Sequence, residues 1–436
     1  MNTEIVKKKQ RIEKKYLFIC IALSIIELLL FILIRLKVFE SMDFSIQNSL
    51  QKNYSNNEIP IALTCIYYLN KIYIPYLIII IVNNFSNIYN IFNLFNVLSV
   101  ACYISCILKF IFYRVVLTQK EDSVIYYCGE GWNLPSTEMI ISVSFFLTLW
   151  NCFFNDEEKY YLSEKNKNTK YIFLGIIIIF NIANIIFLAC IGYYPFSHLI
   201  FSAILGVLIF IFLFKTNIIK IYNAKEFCRF IKKKFELYFL INIILLFLSF
   251  VPYIIQRNHT SYDPPPCKSI DGSFYYKNSS KNIITYVDDT FSLMSIFFAH
   301  FFMMIGLKIE FCFYYENKIQ IFYQYHFGIN IEDLSMEKEL RNNTGTIVLT
   351  AETEWNNTSK KISIIRLILS FILSGACFLP YILVEKGEDT DFSTIFLFKY
   401  FCSYSLFTLG IAYLFRGIFR ILKLTNEILD SILNDQ

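Results

Sequence analysis

Long unbroken apolar runs, separated by short polar stretches, organise this chain. Runs at 16–35, 60–83, 91–113, 137–154, 171–190, 197–215, 236–256, 286–308, 362–384 and 394–415 stand out. Each is near the ~20 residues that a helix needs to cross a hydrocarbon core of ~30 Å. Lipid offers no partner to an unpaired backbone group, so such runs must be helical. The pattern predicts an all-α, polytopic membrane bundle of about ten transmembrane helices. The first run reads as a retained anchor. Its flank "ELLLFILIRLKVFE" has no small-residue cleavage site, and Glu27 interrupts it.

Composition sharpens this picture. Of 436 residues, 56% are hydrophobic, and the net charge is +5. The basic residues are spread among the flanking loops, so the charge does not point to nucleic acid. They favour alternate loops, with "KTNIIKIYNAKEFCRFIKKK" contributing most. By the positive-inside rule the segments 1–15, 84–90, 155–170, 215–235, 309–361 and the tail from Arg416 are then cytoplasmic. Both termini are expected in the cytoplasm. The loops 36–59, 114–136, 191–196, 257–285 and 385–393 face the other side. Of 12 cysteines, Cys128 and Cys267 fall in these outer loops. They form a disulfide in an oxidising compartment or stay free thiols; both readings stand. No Cys/His spacing suggests a metal site. Sequons occur on both sides, at Asn53, Asn258 and Asn278 and at Asn342 and Asn357, and do not discriminate.

Charged side chains inside or at the edge of membrane spans are functional candidates. Lys109 lies near the outer end of the third span, in "ISCILKFIFYR". Glu138 opens the fourth span, after "NLPST". His198 opens the sixth, in "GYYPFSHLIFSAILG". In the topology above all three reach one face. Their order and spacing resemble the type 2 phosphatidic acid phosphatases, and most closely the sphingosine-1-phosphate phosphatases. The resemblance covers roughly residues 60–215. Lys109 matches the lysine of the first motif. Pro135, Ser136 and Thr137 match the second motif, and His198 the histidine of the third. Gly206 falls where the family keeps a small residue. The chain departs from the pattern elsewhere. Val116 and Leu117 stand at the first-motif Arg-Pro, Glu138 at the second-motif His, Ile191 and Gly192 at the third-motif Ser-Arg, and Ser202 at the third-motif Asp. Arg114 sits two residues before the missing arginine.

The resemblance implies hydrolysis of a lipid phosphate, such as a phosphorylated long-chain base, on the lumenal face of the endoplasmic reticulum or another endomembrane. No cofactor or metal is implied. His198 would be the nucleophile, since forming a phosphohistidine splits one hard displacement into two. Glu138 would protonate the leaving alkoxide if it carries a proton. Lys109, Arg114, Ser136 and Thr137 would hold the phosphoryl group, and Ser202 would orient the imidazole. The domains would be 1–59, an anchor and first outer loop; 60–215, the phosphatase-like membrane core; and 216–436, an extension of about four helices.

Plainer readings compete at every position. Thr137 and Glu138 suit the first turn of any helix, where a carboxylate meets the dipole favourably. His198 can be an interfacial histidine, and Lys109 can extend toward the headgroups. Loss of two fork-shaped arginine donors favours a lipid-binding or lipid-moving protein on the same fold that hydrolyses nothing. A small-solute or ion transporter built on Lys71, His300, Asp288 and Asp289 is a third class. Arg366 and Lys399, near helix ends, are expected to snorkel.

Overall fold

The apolar runs are largely helical where the computed structural model describes them, that is at residues 2–51, 73–86, 88–112, 134–154, 164–190, 194–215, 224–257, 267–268, 274–275, 279–310, 359–384 and 400–425. The helices are α1 (Asn2–Arg35), α2 (Glu40–Gln51), α3 (Tyr73–Phe85), α4 (Ile88–Phe112), α5 (Thr137–Phe154), α6 (Glu164–Cys190), α7 (Phe196–Lys215), α8 (Ala224–Arg257), α9 (Ser279–Lys308), α10 (Lys360–Cys377), α11 (Leu379–Val384), α12 (Ser403–Leu409) and α13 (Phe415–Ile421). A π-helical segment, Gly410–Leu414, joins α12 to α13. The extended residues among those described are β1 (Cys267–Lys268) and β2 (Phe274–Tyr275), a short antiparallel pair.

Among the described residues six helical stretches are long and apolar enough to cross a membrane: Lys14–Arg35, Tyr89–Lys109, Thr137–Phe154, Asn168–Cys190, Phe196–Phe214 and Tyr400–Ile421. This is a multi-pass helical membrane architecture. Two of the expected runs, 60–83 and 394–415, begin outside the described residues. The run 362–384 is broken at Phe378. Pro380 has no N–H to give the carbonyl four residues back, so α10 stops before it and the chain resumes as α11 at Leu379, with Pro380 in its first turn. Lys71, Lys399, Arg114, Cys128 and the segment "LRNNTGTIVLTAETEW" lie outside the described residues.

Two compact units make up the chain. Unit 1 comprises Met1–Pro75, Val97–Lys220 and Leu248–Met294; unit 2 comprises Tyr76–Asn96, Ile221–Phe247 and Ser295–Gln436. In unit 1, α5 and α7 pack closely at Gly206, where a Cβ would lie 2.9 Å from Val143 Cβ and 3.0 Å from the Ile140 carbonyl. Only a residue without a side chain permits that approach. Met139, Val143, Phe187, Leu188, Tyr194 and Leu199 fill the space between α5, α6 and α7. Ser142 donates to Asn181 Oδ1 at 2.8 Å and accepts from Asn184 Nδ2 at 3.2 Å, tying α5 to α6.

From residue 14 onward α1 buries Cys20, Glu27 and Ile34, seven residues apart, and so meets α7 through a narrow seam. Its other faces expose Leu17, Phe18, Ile21, Ile25, Leu28 and Leu29, as a lipid-facing helix would. Glu27 is an odd member of the seam, because neither carboxylate oxygen has a hydrogen-bond partner.

Unit 2 is built on aromatic packing. Tyr76 stacks on Tyr404 and meets Phe95, Phe378 and Phe407 edge-on. Tyr238 on α8 donates to Asn96 Oδ1 at 2.7 Å and lies 3.0 Å from His300 Nε2, whose ring also meets Phe92. Gly306 lets α9 approach Ala412 in the π-helical segment, with a built Cβ 2.9 Å from Ala412 Cβ.

Candidate functional site

The Pro-Ser-Thr-Glu stretch acts first as a helix start. Ser136 precedes α5 and caps it: its Oγ accepts from the Met139 amide at 3.3 Å, and its carbonyl accepts from Ile140 N at 3.1 Å. Thr137 and Glu138 are the first helical residues, with Glu138 at the positive end of the dipole. The plain reading of this stretch therefore describes its local chemistry correctly.

The same turn is also where three helices meet. Thr137 Oγ1 lies 2.6 Å from Ser105 Oγ on α4, one turn before Lys109. The Ser136 amide donates to Ser202 Oγ on α7 at 2.8 Å, one turn after His198. Leu108 packs with Leu134, Phe201 and Ile34 in one apolar cluster, closing the region from the α1 side. Thus the turn before α5 is bonded to the lysine-bearing helix on one side and the histidine-bearing helix on the other. Lys109, Ser136, Thr137, His198 and Ser202 are all buried, and Glu138 is half-buried.

Lys109 stands in the last turn of α4, where a cation suits the free carbonyls. Cys102 and Cys106 lie within reach of its charge. Glu138 Oε2 accepts a 2.7 Å bond from Tyr194 Oη and a longer one, 3.5 Å, from Ser136 Oγ. His198 is in the first turn of α7, its amide donating to the Pro195 carbonyl at 3.0 Å. Ser202 differs from the expectation that it orients the imidazole. Its hydroxyl donates to the His198 carbonyl at 2.7 Å and accepts the Ser136 amide. The hydroxyl proton is thus committed to the main chain, and Ser202 joins two backbones rather than steering a ring.

Two contributors escaped the sequence reading. Asp43, in the first turn of α2, receives the Ser197 amide on Oδ1 at 2.9 Å and the Ser197 hydroxyl on Oδ2 at 2.6 Å. A carboxylate from a distant helix thereby sits against the start of α7, one residue before His198. Tyr194, four residues before His198, fixes Glu138. The signal for Tyr194 was its place beside "PFSH"; Asp43 carried none beyond an acid in an amphipathic segment. The buried or half-buried ionisable side chains around this turn include Lys109, Asp43, Glu138 and His198.

The other singled-out residues lie elsewhere. His300 is in unit 2, bonded to Tyr238; the side chains of Asp288 and Asp289 are outside the described residues. Arg366 does not snorkel: it is 1% exposed. Comparison of the chain with protein-family models, with curated proteins and with solved structures gives no match.

Proposed function

We propose that this multi-pass membrane protein carries, in unit 1, a pared-down lipid-phosphate phosphatase site of the type 2 phosphatidic acid phosphatase kind. The observation that supports it is the pair of hydrogen bonds from the Ser136–Thr137 turn, to Ser202 beside His198 and to Ser105 beside Lys109. In this reading the core spans 60–215 within about ten crossings, the site faces the lumen of the endoplasmic reticulum or a related compartment, and the termini are cytoplasmic.

A ring nitrogen of His198 attacks the phosphorus of a phosphorylated long-chain base or a related lipid phosphate. The P–O bond to the lipid breaks, and the alkoxide takes a proton from Glu138. Water then attacks the phosphohistidine and gives a proton back to Glu138 as the P–N bond breaks, which releases phosphate and restores both the imidazole and the acid. Glu138 Oε2 accepts from Tyr194, so in this step Oε1 is the oxygen that gives the proton. Lys109, with Arg114, neutralises the phosphoryl oxygens.

A second reading has its own support. With Ser202 turned to the main chain and Glu138 acting as an acceptor, the site binds a lipid headgroup without cleaving it. One experiment separates the two. The full chain, purified in detergent, is incubated with sphingosine 1-phosphate and with phosphatidic acid, and released phosphate is measured beside bound lipid. Catalysis predicts release that His198→Ala abolishes and Glu138→Gln lowers by about 10²-fold or more. Lipid retention without release, unchanged in His198→Ala, establishes the binding reading and ends the catalytic one.

A further inference from the structure

In unit 1, the helix that carries His198 begins without a capping side chain of its own. Pro195 precedes α7, Phe196 opens it, and its first turn holds no acid. Helix starts favour Ser, Thr, Asp or Asn at that place, because a side-chain oxygen can take one of the free amides. Helix α5 shows the usual arrangement, with Ser136 accepting from its own Met139. In α7 the acceptor comes from another helix. Asp43 on α2 takes the Ser197 amide on Oδ1 at 2.9 Å and the Ser197 hydroxyl on Oδ2 at 2.6 Å.

Helix α2 holds that carboxylate in place. Phe39, just before it, lies four residues from Asp43, and Leu50 lies seven beyond, so the three share one helical face. Phe39 packs against the cluster of Ile34, Leu134 and Phe201. Leu50 packs against the cluster that contains Tyr194 and Leu199. Ser41, Met42, Ser45 and Ser49, on the other faces, are exposed. Apolar contacts on either side of Asp43 thus anchor α2, and Asp43 itself is buried.

A carboxylate bonded to both the amide and the hydroxyl of one residue sets direction as well as distance. Its charge strengthens both bonds and suits the positive end of the helix dipole. The next Cα is only ~3.8 Å along the chain, so whatever holds Ser197 also holds the residue after it. We propose that Asp43 is a positioning residue for His198: it caps α7 from outside, fixes the first turn, and so sets the direction from which the imidazole meets phosphorus. This role rests on the phosphatase reading of unit 1, while the cap beneath it is measurable without turnover.

The full chain in dodecyl maltoside micelles supplies both measurements. Turnover of sphingosine 1-phosphate is followed as released phosphate and normalised to the folded fraction at the assay temperature. A nucleophile misplaced by ~1 Å can cost about 10²-fold in rate. Asp43→Ala should therefore lower kcat about tenfold or more per folded molecule and leave KM within about twofold, because the contacts made from α4 and α5 are untouched. Asparagine caps helices about as well as aspartate, so Asp43→Asn should keep kcat within about threefold of wild type. Hydrogen exchange, read by mass spectrometry on peptides across 194–200, follows the Ser197 amide. Asp43→Ala should speed its exchange about tenfold or more over wild type and Asp43→Asn, with α4 unchanged. Four results overturn the positioning role: a wild-type kcat in Asp43→Ala, a loss confined to KM, an Asp43→Asn as impaired as Asp43→Ala, or unchanged exchange. Absence of phosphate release from wild type, relative to His198→Ala, is a failure of the phosphatase reading instead. The exchange rates then decide alone whether Asp43 holds the turn that carries His198.

Discussion

Removal of one hydroxyl distinguishes a structural Ser202 from a catalytic one. In Ser202→Ala, the Ser136 amide loses its acceptor 2.8 Å away, at a point where both serines are 0% exposed. A buried donor left without a partner costs about 1–3 kcal/mol. The other bond of this hydroxyl, to the His198 carbonyl at 2.7 Å, matters less. That carbonyl also lies within α7, where the ordinary helical amide bond serves it. Alanine returns up to about 0.5 kcal/mol through its better helix propensity. The net expectation is a loss of about 0.5–2.5 kcal/mol. Unfolding of the full chain by sodium dodecyl sulfate in dodecyl maltoside micelles measures it, with Trp150 fluorescence reporting on α5, the helix whose start is disturbed. Ser202→Cys, similar in size but a weak acceptor, should fall between wild type and alanine. Were Ser202 to serve the imidazole instead, the variant would keep its stability and lose turnover. Stability within about 0.5 kcal/mol of wild type, the spread of ordinary neutral substitutions, would refute the structural role.

Further outcomes follow from the same contacts. Asp43→Ala strips Ser197 of two partners, and since a bond to a charged group contributes about 1.5–3 kcal/mol, a loss of at least that size is expected in the same titration, with Asp43→Asn losing less. Gly206→Leu forces a side chain into the 2.9 Å approach to Val143 and should cost about 1–3 kcal/mol, with Gly206→Ala milder; equal stability of all three forms would contradict the packing of α5 on α7. Glu27→Leu should raise stability by about 1–3 kcal/mol, because it removes a buried carboxyl whose oxygens have no hydrogen-bond partner; a loss on substitution would show that the carboxyl is engaged after all. Tyr238→Phe leaves Asn96 Oδ1 and His300 without their hydroxyl and should cost about 1–3 kcal/mol, read as an earlier loss of near-ultraviolet circular dichroism.

Apolar run length is a property of one dimension, and among the described residues six of the stretches it marks are helices of membrane length. The run expected at 137–154 is α5, with the same ends, because a proline and a capping serine stop any other helix from entering. What escaped depends on which side of a helix meets the protein. Arg366 looked like a snorkelling end residue, yet Ser363, Arg366, Ser370 and Ser374 share one face at helical spacing, so the stripe was present in the sequence. Reading it required knowing that in a membrane the polar side turns inward. Asp43 was not readable, since its partner Ser197 lies 154 residues away and only tertiary structure brings them together. The role of Ser202 follows from a local rule that applies before any family pattern. A hydroxyl on a helix tends to bond the carbonyl one turn back. Ser144 does so to Ile140, and Thr148 to Ser144, each at 2.7 Å. The bond from Ser202 to His198 is therefore ordinary. The distinguishing contact is the amide it accepts from Ser136, which makes the serine a link between α7 and the start of α5.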